Sequence, residues 1–197
     1  GRQWWIGRGC VVAAAMLSRG FGGLVAMLLV TLWWYRRQWK ILLAVIAVAG
    51  LFVAVKYAHD VSFFNPSGRL ERWPLILEAF RHKLLTGAGP GSMLLFSEQI
   101  TDRTNPLCHW RHAHNEYLQL LIEQGVVGLA LVGWMLGDWG KKFWAMRRLP
   151  VVATLGAVFL AFLCNAAYNF PAHLWVISSL GLLAYAGIYG CWAERTT

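Results

Sequence analysis

Five apolar stretches, at residues 10–34, 41–58, 118–136, 151–168 and 174–192, constrain this chain more than any other feature. Crossing the hydrocarbon core of a bilayer takes about 20 residues of helix, and each stretch approaches or exceeds that length. Of the 197 residues 14% are charged and 58% hydrophobic, whereas about a quarter of a soluble domain is charged. With a mean hydropathy of +0.49, the pattern argues against a soluble helical protein with a large core. The expected fold class is an all-α integral membrane protein with about five transmembrane helices.

Basic residues orient the spans. Arg36, Arg37 and Lys40 lie between the first two, Lys141, Lys142, Arg147 and Arg148 between the third and fourth, and Arg195 after the fifth. Alternating spans put all three groups on one side, which is then cytoplasmic. Trp33, Trp34, Trp39, Trp134, Trp139 and Trp144 crowd the same boundary, as interfacial aromatics do. The net charge of +9 is therefore topological; no nucleic-acid-binding motif accompanies it, and no nucleic-acid partner is expected. The opposite face holds one long loop, about 59–116, and a short turn at 169–173. This topology starts the chain outside, without a signal peptide, so a longer protein with earlier spans is expected, of which residues 1–197 are the C-terminal portion. Cys10, Cys108, Cys164 and Cys191 are scattered and form no disulfide framework.

Arg19 lies nine residues inside the first span, about 13 Å deep at 1.5 Å per residue. A charge near mid-bilayer costs at least about 2.5–3.5 kcal/mol, so such a residue is usually paired or faces a cavity. If the helix begins near Gly20 instead, Arg19 is merely interfacial. In the long loop, Ser67 is placed to cap a helix over residues 69–85, where Leu70, Trp73, Leu77, Phe80 and Leu84 share one face. This amphipathic helix is expected to lie on the membrane or on the spans. Arg69, Arg72 and Lys83 flank the face; each alone fits snorkelling to lipid phosphates, and together they fit a grip on a phosphate-bearing substrate. Gly87-Ala88-Gly89-Pro90-Gly91 reads as a plain turn, not a phosphate-binding loop, since no GK[ST] follows.

His109, His112 and His114 fall within six residues where the loop enters the third span. Zinc is one reading, with Cys108 or Glu116 as a further ligand, although no DxD-type motif occurs. Proton transfer suits the junction better, because an ordinary histidine pKa near 6.5 fits a general base at neutral pH. His114-Asn115 is followed nine residues later by Gly125-Val126-Val127-Gly128, glycines expected to permit close helix packing.

This string resembles the signature of the O-antigen ligase family. Three further pieces occur in that family's order: Ser18-Arg19-Gly20, Gly68-Arg69 followed by Trp73, and Gly87-Ala88-Gly89-Pro90-Gly91-Ser92-Met93, where Met93 replaces an aromatic residue. The resemblance spans about residues 11 to 190. Its superfamily contains O-antigen ligases, some O-antigen polymerases and protein O-oligosaccharyltransferases.

The resemblance implies a membrane glycosyltransferase of the bacterial inner membrane with its active site facing the periplasm. It would move a glycan from undecaprenyl diphosphate to a hydroxyl of lipid A-core or another acceptor. Transfer proceeds with inversion and needs neither cofactor nor metal. Arg69 would stabilise the leaving diphosphate and His114 would deprotonate the acceptor. Arg19 holds the diphosphate by the same analogy, whereas Arg72 joins on helix geometry alone. Asn115 and Glu116 are expected to orient His114 or the acceptor, and His112 to support them. The short turn at 169–173 disfavours enzymes with an added C-terminal acceptor-recognition region. A transporter or non-catalytic membrane subunit is the alternative of another class, but it predicts polar pairs along a through-path. The second span carries no charge before Lys56, and the fourth and fifth hold only Asn165 and end-placed polar groups.

Overall fold

The computed structural model describes residues 28, 31–32, 38–59, 68–99, 104–105, 107–169 and 175–196. Most of the first span, Arg19 included, therefore lies outside the described residues, as do Ser67 and most of the 169–173 turn. All elements within the described residues are helical. They are α1 (Trp39–His59), α2 (Arg69–Ala79), α3 (Ser92–Gln99), α4 (Glu116–Met146), α5 (Pro150–Ala166) and α6 (Trp175–Thr196), with a 3-10 turn at Arg81–Lys83.

Helix α4 alone among the described residues is long and apolar enough to cross a membrane; α5 and Leu43–His59 are shorter apolar helices. At 31 residues α4 runs about 46 Å. It packs with α5 and α6 as a bundle. Trp139, Phe143, Met146, Val152, Phe159, Ala184 and Ile188 form its buried core. Trp139 is a departure from the interfacial pattern: it is 4% exposed and stacks on Phe143 at 5.2 Å, whereas Trp134 and Trp144 face outward. The indole went inward because Phe143 and Phe159 offer it two ring faces. Tyr189 donates to Asp138 at 2.7 Å, tying α6 to α4. The chain reverses at 147–149 and again after α5. The ends of α4 and α6 that carry Lys142 and Arg195 thus lie together, away from the start of α4.

The second core belongs to the loop. Ile76 of α2, Phe80 just past its end, Met93 of α3, Leu107, Trp110 and Ala113 pack on Leu118 and Ile122 of α4. Helix α2 is amphipathic as expected, but it ends at Ala79, and its N-cap is Gly68, with no side-chain cap. Its buried face is also rotated from the expected one. Trp73, Ile76 and Phe80 point inward, while Leu70 and Leu77 are exposed. Pro74 is accommodated within its first turns.

The two cores join at a break in α4. Gly125 has φ 70 and ψ −174, and the helix is kinked there. In an unbroken helix the amide of Val126 would donate to Ile122 and that of Val127 to Glu123. Here the glycine-rich loop supplies partners for the broken turn. Ala88 N–H donates to the Ile122 carbonyl at 2.8 Å and Gly89 N–H to that of Glu123 at 3.0 Å. Val126 N–H in turn donates to the Leu84 carbonyl at 2.8 Å. The backbones cross so closely that a Cβ on Gly125 would lie 2.4 Å from the Leu85 carbonyl oxygen, and one on Gly87 2.3 Å from that of Glu123. Gly125 thus receives a loop rather than a neighbouring helix, and the 87–91 turn is a splice into α4. Gly125→Ala is expected to cost about 1–3 kcal/mol, through its positive φ and the clash together. Trypsin cleavage after Lys83 in the detergent-solubilised protein should then accelerate; an unchanged cleavage rate would contradict the splice.

Candidate active site

His114 occupies the joint between the loop and α4, and its backbone is held from both sides. On one side the buried Ala113 accepts a hydrogen bond from Trp73 Nε1 at 2.9 Å and donates its N–H to Gln119 Oε1 at 3.1 Å. On the other, Asn115 caps α4, its Oδ1 accepting from Leu118 N–H at 3.0 Å. Between these anchors His114 takes a φ of 52, rare for a residue with a Cβ. Such a conformation persists only where the surroundings over-determine it, and it concentrates at functional sites.

Around the ring the structure gathers residues separated in sequence. The Trp110 indole meets the His114 imidazole edge to face at 4.8 Å. The Arg72 guanidinium lies over the other ring system of this stack, 4.8 Å from the Trp110 centroid. Arg69, one turn earlier in α2, donates to the carbonyl of Tyr168 and to Asn169 Oδ1 at the end of α5. Its buried Nε meets no hydrogen-bond partner among the described residues. His112 Nδ1 stands 3.4 Å from Gln119 Nε2, which also donates to Glu123 Oε1 at 3.1 Å. Glu116 begins α4, one residue past the cap.

Electrostatics show that these groups share one site. Burial pushes the His114 pKa down to about 4, and the positive charges of Arg69, His112 and Arg72 push in the same direction. Burial also lowers the Arg69 pKa, although a guanidinium keeps its charge throughout the physiological range. The site is therefore a neutral imidazole beside two fixed cations. Such a cluster attracts an anion and offers a proton acceptor next to it.

Of the sequence-derived candidates, Arg69, Arg72, His112 and His114 converge here. Asn115 takes part as the helix cap, and Arg19 lies outside the described residues. Among the described residues no group of three or more His, Cys, Asp or Glu is placed to hold a metal ion. Sequence reasoning placed Trp73 only on the apolar face and in the loop motif, and missed Trp110, Gln119, Tyr168 and Asn169. One signal was available for the last two: alternating spans put the turn after α5 on the same face as His114. Nothing local distinguishes Gln119 from any polar residue in the first turn of a helix.

The imidazole of His114 is expected to titrate near pH 4 by NMR, and Arg69→Gln should raise that midpoint. Native stability should be full above about pH 6.5. It should fall as the pH drops toward 4, because an unfolded histidine binds its proton first. A midpoint near the ordinary 6.5 would show that the ring is neither buried nor flanked by cations.

A family model described as O-antigen ligase (Wzy_C) matches residues 8–133. No curated protein and no solved structure matches the chain.

Proposed function

Since the chain belongs to the O-antigen ligase family, a family of glycosyltransferase-type enzymes acting on glycan and lipid substrates in membranes, we propose that it ligates O-antigen from undecaprenyl diphosphate onto lipid A-core. In this reading about five transmembrane helices lie in the bacterial inner membrane, and the 59–116 loop faces the periplasm. The observation that carries the reading is the pairing of a neutral His114 with the Arg69 and Arg72 charges, beside a buried Arg69 Nε.

The lipid diphosphate is both the anchor of the donor and the leaving group. Arg69 is fixed by Tyr168 and Asn169 through one terminal nitrogen. Its Nε and second terminal nitrogen then face the negative charge that grows as the glycosidic bond breaks. A guanidinium suits this, since its planar fork matches two phosphate oxygens. Arg72, held over Trp110, adds a second charge, and Arg19 a third from the first span. Preorganised cations of this kind stabilise the developing charge by several kcal/mol.

His114 takes the proton of the acceptor hydroxyl. Its low pKa keeps the ring neutral and ready to accept. The incoming diphosphate offsets the Arg69 and Arg72 charges, so the imidazole becomes a stronger base once the donor is bound. Asn115 and Glu116 set the start of α4 and with it the direction of the ring, and His112 supports the same arrangement through Gln119. The loop core over α4 excludes water that would otherwise hydrolyse the donor. No metal or cofactor is assigned a step.

The His114→Ala variant of the full-length protein is expected to lose about 10²–10⁴-fold in transfer, and Arg69→Gln to lose transfer as well. Deleting the gene in its host and analysing surface glycoconjugates tests the assignment. Polymerised glycan should accumulate on the lipid carrier and disappear from lipid A-core, with rescue by wild type and not by His114→Ala. Lipid A-core that stayed fully decorated would overturn ligation. Shortened chains would then identify a polymerase, and unglycosylated protein an oligosaccharyltransferase.

A further inference from the structure

At the end of the bundle away from His114, the last turns of α4 and α6 and the 147–149 reversal enclose an open-mouthed cavity of about 670 Å³. Arg147, Arg148 and Arg195 line it, together with Glu194, Cys191 and Leu149. The arginines outnumber the acid by three to one, and two of them are held in place. Arg147 donates to the Trp144 carbonyl while its guanidinium lies 4.0 Å from that indole's centroid. Arg195 reaches across from α6 to donate to the Ala145 carbonyl at 3.3 Å. A guanidinium has five N–H donors, so each anchoring bond leaves most of the fork for another acceptor. Leu149 is the N-cap of α5 and makes no side-chain cap bond, so the positive end of that helix opens beside the cavity.

We propose that this cavity binds the phosphate of an anionic phospholipid headgroup. Three features favour a lipid over a dissolved anion. The cavity lies between helices of a membrane-associated protein, where basic pockets characteristically take headgroups. Trp144, 56% exposed, stands at its rim, and outward-facing indoles settle at headgroup depth. The exposed apolar side chains Leu149, Val151, Leu182 and Leu183 leave room for acyl chains along α5 and α6. The site is independent of the His114 chemistry and does not rest on the proposed reaction. Its consequence is a lipid clamp that fixes α6 against α4.

The full-length protein, reconstituted in phosphatidylcholine nanodiscs containing a minor fraction of phosphatidylglycerol, provides the test by native mass spectrometry. Wild type should retain phosphatidylglycerol in excess of its share. Each arginine removed should cut retention about fivefold, so Arg147→Gln with Arg195→Gln should lose about 25-fold. Removing Lys40 and Lys141 by the same exchange should cost much less retention, since neither lines the cavity. Equal losses from the two pairs, or none from the arginine pair, would overturn the site. Should the arginine pair fail to fold, the exposed Arg148→Gln alone carries the same expectation of about fivefold. Inorganic phosphate added in excess should leave the lipid in place. Displacement by phosphate, with the same arginine dependence, would assign the cavity to a free anion and overturn the lipid reading.

Discussion

The structure depends on one backbone crossing. An apolar helix cannot be broken without exposing peptide groups that the surroundings must satisfy. Helix α4 is broken at Gly125, and the Ile122 and Glu123 carbonyls and the Val126 amide all find partners in the 84–89 loop. The crossing therefore costs few hydrogen bonds and makes the loop an integral part of the span. Everything placed on that loop inherits its position relative to α4, including α2 and its two arginines. His114, three turns before the break, is part of the same rigid corner.

From that corner the two cores divide the work. The bundle core around Trp139, Phe143 and Phe159 holds α4, α5 and α6 together. The loop core around Ile76, Met93 and Trp110 covers the start of α4 and leaves the imidazole half-buried. Arg69 joins the two, since its bonds to Tyr168 and Asn169 tie α2 to the end of α5. The same residue thus serves as a strut and as a charge beside His114. Charge is segregated accordingly: one bundle end presents a neutral histidine flanked by arginines, and the other presents Lys141, Lys142, Arg147, Arg148 and Arg195. The first arrangement suits a reacting phosphoryl ester, and the second the surface of a membrane.

Particular residues show how far the sequence could be read. His112 and His114 were singled out where a polar loop enters an apolar stretch, Arg69 through the motif resemblance and Arg72 through helix geometry, and the structure brings the four into electrostatic contact. The motif order led to the family that the model match to residues 8–133 then showed. The inward face of α2 was misread by about one side chain: Leu70 and Leu77 fit a helical stripe, yet Ile76 is the residue that is fully buried. Periodicity ranks faces by hydrophobicity alone, and it cannot weigh what Met93 and Ile122 offer on the other side. Trp139 was assigned to the interface for the same reason, since a tryptophan's partners are not written beside it.

The sequence by itself determined the helical class, the apolar stretches, the sidedness expected of the basic clusters and the chemical types present in the loop. These follow from composition and short-range pattern, because hydrophobic burial and charge are properties of each residue. Only the tertiary structure decided that the 87–91 turn is spliced into α4, that Tyr168 and Asn169 anchor Arg69, and that Trp110 meets both Arg72 and His114. Each is a contact between distant residues whose worth depends on geometry, down to the absence of two Cβ atoms at Gly87 and Gly125. The depressed basicity of His114 belongs with these, because burial and neighbouring charge exist for that ring only once the loop has folded over it.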